Sequence, residues 1–302
     1  MNSVLDMVII GAGPTGISAA IYANRAMLNF VLLEKSFPGG QIINTYEVDN
    51  YPGIQHVSGF ELANMFTEHA KSLGVEIKND DVTGLELDGE VKKVITTGGV
   101  LETKVIILAT GAHWKKLGVP GEERLTGLGV SYCATCDGAF YRGKKTAIIG
   151  GGDVAVEDAI YLARMCEKVY LIHRRHELRA VKFYQDKLFK TPNIEVIWDT
   201  EVEEILGQSN VEGIAIINNK TKEKSELKID GVFVAVGTNS NSQLVQGQVE
   251  MDASGWILTD EECETSIPGV FAAGDVRKKS LRQVITGAAD GAIAVFASGK
   301  YV

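Results

Sequence analysis

Cys133-Ala134-Thr135-Cys136 sets two thiols two residues apart. At that spacing they can close a small disulfide ring that stores two electrons. A thiol whose pKa is lowered by a helix start or a nearby positive charge becomes a nucleophilic thiolate at neutral pH. The same spacing serves zinc, and with His173 and His176 the pair would supply four ligands. Two arginines stand between those histidines and a whole glycine turn separates the two pairs, so a redox disulfide is the preferred reading and no metal is expected. Asp137 follows directly and, on residue type and position, reads as a helix cap or turn residue.

The disulfide motif lies between two copies of one pattern. In the first, Met7-Val8-Ile9-Ile10 runs into Gly11-Ala12-Gly13-Pro14-Thr15-Gly16, then a helical segment through Arg25, then Phe30-Val31-Leu32-Leu33-Glu34. Strand, glycine turn, helix and strand in this order let backbone N–H groups approach a pyrophosphate at the helix start, with Glu34 placed for ribose hydroxyls. The second copy reads Thr146 to Ile149, then Gly150-Gly151-Gly152-Asp153-Val154-Ala155, a helix through Arg164, and Val169 to His173. Glu34 and His173 each stand 23 residues beyond the first glycine of their copy. Where the first copy ends in an acid, the second has His173, Arg174, Arg175 and, a turn later, Arg179. Guanidinium groups there would grip a 2′-phosphate that an acid would repel, so the first copy suits a ribose with free hydroxyls and the second suits NADPH. A solvated basic face is the plainer account of the arginines, and their register with the turn argues against it.

Later, Gly269-Val270-Phe271-Ala272-Ala273-Gly274-Asp275 reads as a short strand ending in a turn, and the small-residue run from Leu281 to Val295 as a helix whose start could lie beside a cofactor. Turn formers concentrate at Thr110–Pro120 and Gly237–Ser242. These features predict an α/β chain of two Rossmann-like domains of the three-layer ββα type. The second domain, 115–241, is inserted into a discontinuous first domain made of 1–114 and 242–302.

Composition narrows the function class. The chain has 302 residues, 45% hydrophobic and 23% charged, which is enough for two cores and ordinary for a globular protein. A net charge of −9 speaks against nucleic acid or an anionic membrane as partner. The first residues have neither the basic flank nor the apolar run of a signal peptide, and no apolar run approaches a membrane span, so a cytoplasmic location is expected. Four cysteines are too few for a disulfide-stapled scaffold. Cys166 reads as a small core residue, and Cys263 could be buried or exposed.

Taken as an ordered set, these motifs resemble the low-molecular-weight bacterial thioredoxin reductases over essentially the whole chain. The set is GAGPTG at 11–16, GGQ at 39–41, NYPG at 50–53, ATGA at 109–112, CATCDG at 133–138, HRR at 173–175 with Arg179, and AAGD at 272–275 with RQ at 282–283. The resemblance implies FAD on the first domain, held by Gly11, Gly13, Pro14, Thr15, Gly16, Glu34, Lys35, Gly39, Gly40, Gln41, Asn50, Ala109, Thr110, Gly111, Gly274, Asp275, Arg282, Gln283 and Val284. It implies NADPH on the second, held by Gly150, Gly152, Asp153, Val154, Ala155, His173, Arg174, Arg175 and Arg179. It further implies a homodimer and a thioredoxin partner. Cys136 would be the sulfur nearer the flavin, Cys133 the interchange thiol and Asp137 the acid, and the inserted domain would have to rotate. Two departures stand out. Val154 replaces the hydroxyl residue usual in the second turn, and Gly237-Thr238-Asn239-Ser240-Asn241 lacks the proline usual in that loop. His113 and Trp114 read as packing residues. A peroxiredoxin-linked reductase is the nearest alternative, but it usually carries Cys-Pro-His-Cys. A ferredoxin-dependent relative typically lacks the second glycine turn.

Overall fold

The computed structural model describes residues 4–45, 48 and 50–302. The chain folds as two units, Met1–His113 with Asn239–Val302, and Trp114–Thr238. The first unit begins with β1 (Leu5–Ile10), α1 (Pro14–Arg25), β2 (Phe30–Glu34), α2 (Gly59–Ser72) and β3 (Ile77–Asn79). It continues through β4 (Val82–Glu86), β5 (Lys92–Thr96), β6 (Gly99–Leu108) and β7 (Ala112–Trp114). Strands β3, β2, β1 and β6 pair in parallel, and β6, β5 and β4 pair antiparallel. The ten-residue β6 serves both arrangements, with Gly99–Thr103 on β5 and Val105–Leu108 on β1.

Period-two alternation explains the layering. Met7 and Ile9 face a core shared with Ile17 and Ala20 of α1, whereas Val8 and Ile10 face a core shared with Leu85 and Val94 of the antiparallel strands. A strand covered on both faces must be apolar at every position, which is why Met7 to Ile10 shows no polar residue. Each such side chain contributes roughly 1.5–3 kcal/mol by leaving water.

The second unit repeats the plan. It contains β8 (Val130–Ser131), α3 (Ala134–Asp137), β9 (Lys145–Gly150), α4 (Asp153–Leu162), β10 (Lys168–Ile172), α5 (Lys182–Phe189) and β11 (Ile194–Ile197). The antiparallel β12 (Thr200–Leu206), β13 (Gly213–Asn218) and β14 (Lys224–Lys228) follow, then β15 (Gly231–Ala235). The parallel sheet runs β11-β10-β9-β15-β8. Ile148 and Phe233 face the α4 side, and Ala147, Ile149 and Val232 face Ile214 and Ile216 of the antiparallel strands.

The chain then returns through β16 (Thr238–Ser240), which pairs with β7. Asn241 belongs to the first unit because its N–H donates to the Gly111 carbonyl and its Nδ2 to the Thr110 carbonyl. β17 (Val270–Ala272) adds to β6 in parallel, and α6 (Val284–Ala297) packs on α1. The small residues of α6 have a steric cause, since a Cβ on Gly291 would overlap the Thr15 carbonyl of α1. No helix among the described residues is long and apolar enough to cross a membrane.

Candidate functional site

Cys133 and Cys136 are joined as a disulfide, with their Cα atoms 5.3 Å apart. Cys133 continues the extended backbone of β8, and the single helical turn α3 begins after it. The N–H groups of Cys136 and Asp137 both donate to its carbonyl, at 3.2 and 3.1 Å. That turn lies flat on α4 because Gly138 follows. A Cβ there would come within 2.6 Å of Leu162, so the glycine of CATCDG is a packing requirement. Both cysteines are half-buried, and Thr135 Oγ1 is 3.4 Å from Cys133 Sγ.

Asp137 ends the same turn. Burial pushes its carboxyl above the usual carboxylate range, and a hydrogen bond from Ser131 Oγ to Oδ2 at 2.5 Å opposes that shift. Ser131 in turn accepts the N–H of Cys133 at 3.1 Å. The sequence carries no signal for Ser131 beyond its place two residues before a cysteine. A second unforeseen group is Glu122, only 1% exposed, whose carboxylate accepts from the N–H groups of Leu117 and Gly118 and from Tyr132 OH. Burial and then Glu122 raise the Tyr132 phenol above its ordinary range. Tyr132, which precedes Cys133, also stacks on Trp114 with ring centroids 5.6 Å apart. Trp114 is thus a packing residue, while His113 is exposed and bonded through Nδ1 to Asn241 Oδ1 at 2.7 Å.

In the first unit, the glycine turn between β1 and α1 forms a cradle that side chains would fill. Gly11 has φ +103°, and a Cβ on it would run into the Ala109 carbonyl. A Cβ on Gly40 would come within 3.1 Å of Gly13 Cα, and one on Gly16 would overlap the Gly11 carbonyl. Pro14 opens α1, where its missing N–H costs nothing. Glu34 Oε2 accepts the Ala12 N–H at 2.8 Å and Oε1 the Ser36 N–H at 2.9 Å, which leaves further lone pairs for ribose hydroxyls. Lys35 is exposed, Gly39 caps the 3₁₀ turn Gly40–Asn44, and Gln41 lies within that turn.

The chain's return brings distant candidates together. Asn50 Nδ2 donates to Gln283 Oε1 at 3.1 Å across 233 residues, and Gln283 caps α6, of which Val284 is the first residue. Thr110 Oγ1 donates to the Asn241 carbonyl, and Gly111 has φ +68°. Gly274, with φ +76°, lies against Thr15 and donates its N–H to Asp290 Oδ2. Burial raises the Asp275 carboxyl, with Lys279 and Arg282 opposing. Arg282 stacks on Trp256 with Cζ 3.8 Å from the ring centroid. Asp290 was also unforeseen. It takes two bonds from Arg277 and one from Lys279, which outweigh burial and hold its carboxyl low. These features fit a dinucleotide whose phosphates approach bare backbone.

The second turn is braced differently. His173 is buried beside Gly151, where a Cβ would collide with its ring, and its Nε2 pairs with the Glu177 carbonyl at 2.9 Å. Burial, with help from Arg179 and Arg175, keeps the imidazole below its ordinary pKa. Gly150 lies against Ala235 and Ala155, whereas among the described residues nothing beyond its chain neighbours comes within 4 Å of a Cβ position on Gly152. Asp153 Oδ1 accepts the Val181 N–H, and Arg179 N–H donates to the Gly151 carbonyl. Val154 is 62% exposed in the first turn of α4. Arg174, Arg175 and Arg179 are exposed and, with His176, Glu177 and Asp199, line a cavity of about 320 Å³. His173 therefore shapes the turn, and the arginines provide its charge. Among the described residues no three His, Cys, Asp or Glu groups are placed to hold a metal ion.

Cys166 and Cys263 are both buried, and burial raises both thiols, Cys263 to about 12. Residues 5–291 match the family of pyridine nucleotide-disulphide oxidoreductases. The chain is 45% identical over 299 residues to a 34.2 kDa protein in the rubredoxin operon of Clostridium pasteurianum, covering 99% of this chain and 97% of that one. It is 42% identical over 303 residues to a thioredoxin reductase of Bacillus subtilis, covering 100% and 96%. The thioredoxin reductase from Streptococcus pyogenes, a crystal structure 45% identical in sequence, matches with a TM-score of 0.95 over 100% of this chain and 99% of that one.

Proposed function

This chain belongs to the pyridine nucleotide-disulphide oxidoreductase family as a low-molecular-weight thioredoxin reductase, and we propose that it passes electrons from NADPH through FAD and the Cys133–Cys136 disulfide to a thioredoxin. The observation that carries this reading is a disulfide mounted on the same unit as a glycine turn whose outer cavity is walled by three exposed arginines. A 2′-phosphate meets charge-assisted bonds there, whereas a free ribose gains little from them. FAD, held by the Gly11–Gly16 cradle, Glu34, Gly40 and the start of α6, supplies when bound the two-electron relay between nicotinamide and disulfide.

The chain's own residues then handle sulfur and protons. Reduction opens the ring to two thiols. Cys133, as thiolate, attacks the partner disulfide, and Cys136 resolves the mixed disulfide, re-forming the intrachain bond as reduced thioredoxin leaves. Asp137 supplies the proton to the departing thiolate, a role that its burial and raised pKa support. One disulfide cannot face a flavin and a protein partner at once, so the disulfide-bearing unit turns about the segments near 110–114 and 237–242. The chain works as a cytoplasmic homodimer. Ile285, Ile293 and Phe296, the last 86% exposed, form an apolar stripe on α6 suited to a second copy. Steady-state reduction of thioredoxin with NADPH and NADH in parallel tests the proposal. A strong preference for NADPH is expected, and equal use of the two donors would refute the donor assignment.

A further inference from the structure

Ser131 links the redox turn to the half-buried Asp137. Its single hydroxyl proton has two acceptors in reach, Asp137 Oδ2 at 2.5 Å and the Cys133 carbonyl at 3.4 Å, and the shorter contact takes it. Its oxygen meanwhile accepts the Cys133 N–H at 3.1 Å, which ties the side chain to the backbone at the first cysteine. Asp137 Oδ1 is buried and has no hydrogen-bond partner among the described residues. An oxygen that accepts a bond is the poorer place for the carboxyl proton, so the neutral acid carries its proton on Oδ1.

We propose that Ser131 is a positioning residue: held by the Cys133 N–H and donating to Asp137 Oδ2, it fixes the transferable proton on Asp137 Oδ1 and keeps that acid in register with the disulfide turn. This rests on the reading of Asp137 as the acid of the dithiol step. Ser131 itself neither gives nor takes a proton in the reaction. Because its bond favours the ionised carboxylate, deleting the hydroxyl makes Asp137 harder to ionise.

The test is the pH dependence of thiol alkylation in the reduced FAD-loaded protein, measured for wild type, Ser131→Ala, Ser131→Thr, Asp137→Asn and the double variant Ser131→Ala/Asp137→Asn. Thermal unfolding and flavin content serve as folding controls. The expected result is a Ser131→Ala midpoint lowered by about one pH unit, because an acid that stays neutral to higher pH no longer opposes the charge of the neighbouring thiolate. Ser131→Thr should restore the wild-type profile, and the double variant should match Asp137→Asn. An unchanged midpoint in folded Ser131→Ala, or a shift that survives in the Asp137→Asn background, overturns the role of Ser131. A wild-type profile in Asp137→Asn instead overturns the reading of Asp137 beneath it. If Ser131→Ala does not fold, the infrared difference spectrum of wild type against Asp137→Asn decides. A carboxyl C=O band lowered by an accepted hydrogen bond supports the proposal, and an unbonded band refutes it.

Discussion

After β2 the Glu34 carboxylate closes back on the first glycine turn, accepting the Ala12 N–H at 2.8 Å, whereas after β10 the matching residue, His173, is buried beside Gly151 and bonds the Glu177 carbonyl. After the second turn the carboxylate sits on the helix instead, where Asp153 accepts the Val181 N–H and ties the start of α4 to the segment that follows the arginines, while the turn itself takes the Arg179 N–H on the Gly151 carbonyl. Placing the acid at the helix start rather than at the strand end removes it from where a 2′-phosphate would lie and leaves three arginines exposed. Two copies of one scaffold thus differ in which side chain holds the backbone, and that choice sets the charge each presents to a nucleotide.

The largest expected effect separates the two units. Cys136→Ser should abolish NADPH-dependent thioredoxin reduction while leaving the flavin content of the purified protein unchanged, read by turnover and by absorbance. Next, Arg175→Ala combined with Arg179→Ala should raise KM for NADPH by roughly 10–100-fold with little change for NADH, since a hydrogen bond to a charged group contributes about 1.5–3 kcal/mol. The converse belongs to the first unit. Glu34→Gln keeps one acceptor but loses the other and the charge, and should weaken FAD retention about tenfold in equilibrium dialysis without altering donor preference. The smallest effect concerns Glu122, a carboxylate brace on backbone N–H groups like Glu34 but buried and outside both nucleotide turns. Glu122→Gln should destabilise the second unit by about 1–3 kcal/mol, seen as a drop of a few degrees in Tm.

The regular parts of this chain were legible because they rest on local rules. The apolar strands, the glycine turns and the one-turn CATCDG motif show themselves as runs and spacings, and the α/β fold follows from them. Other features depend on contacts that residue type and spacing do not announce, some of them between residues far apart in sequence. Asn50 meets Gln283 across 233 positions, and nothing in either neighbourhood announces it. Ser131 and Glu122 act through bonds to backbone, so their residue type alone is silent. Asp290 left a faint trace, a lone charge within the small-residue run of α6, whose meaning depends on Arg277 and Lys279 thirteen and eleven residues earlier. His173 was legible as a position, but its burial against Gly151 and its bond to the Glu177 carbonyl do not follow from its register.

The central claim is that electrons pass from NADPH into one specific disulfide. Anaerobic titration of the FAD-loaded protein with NADPH, followed by thiol alkylation and peptide mapping, tests it most directly. The account predicts flavin bleaching together with two new thiols per chain, located at Cys133 and Cys136, with Cys166 and Cys263 unlabelled in the folded protein. Bleaching that leaves the Cys133–Cys136 bond intact, or bleaching obtained only with reduced ferredoxin, would contradict it.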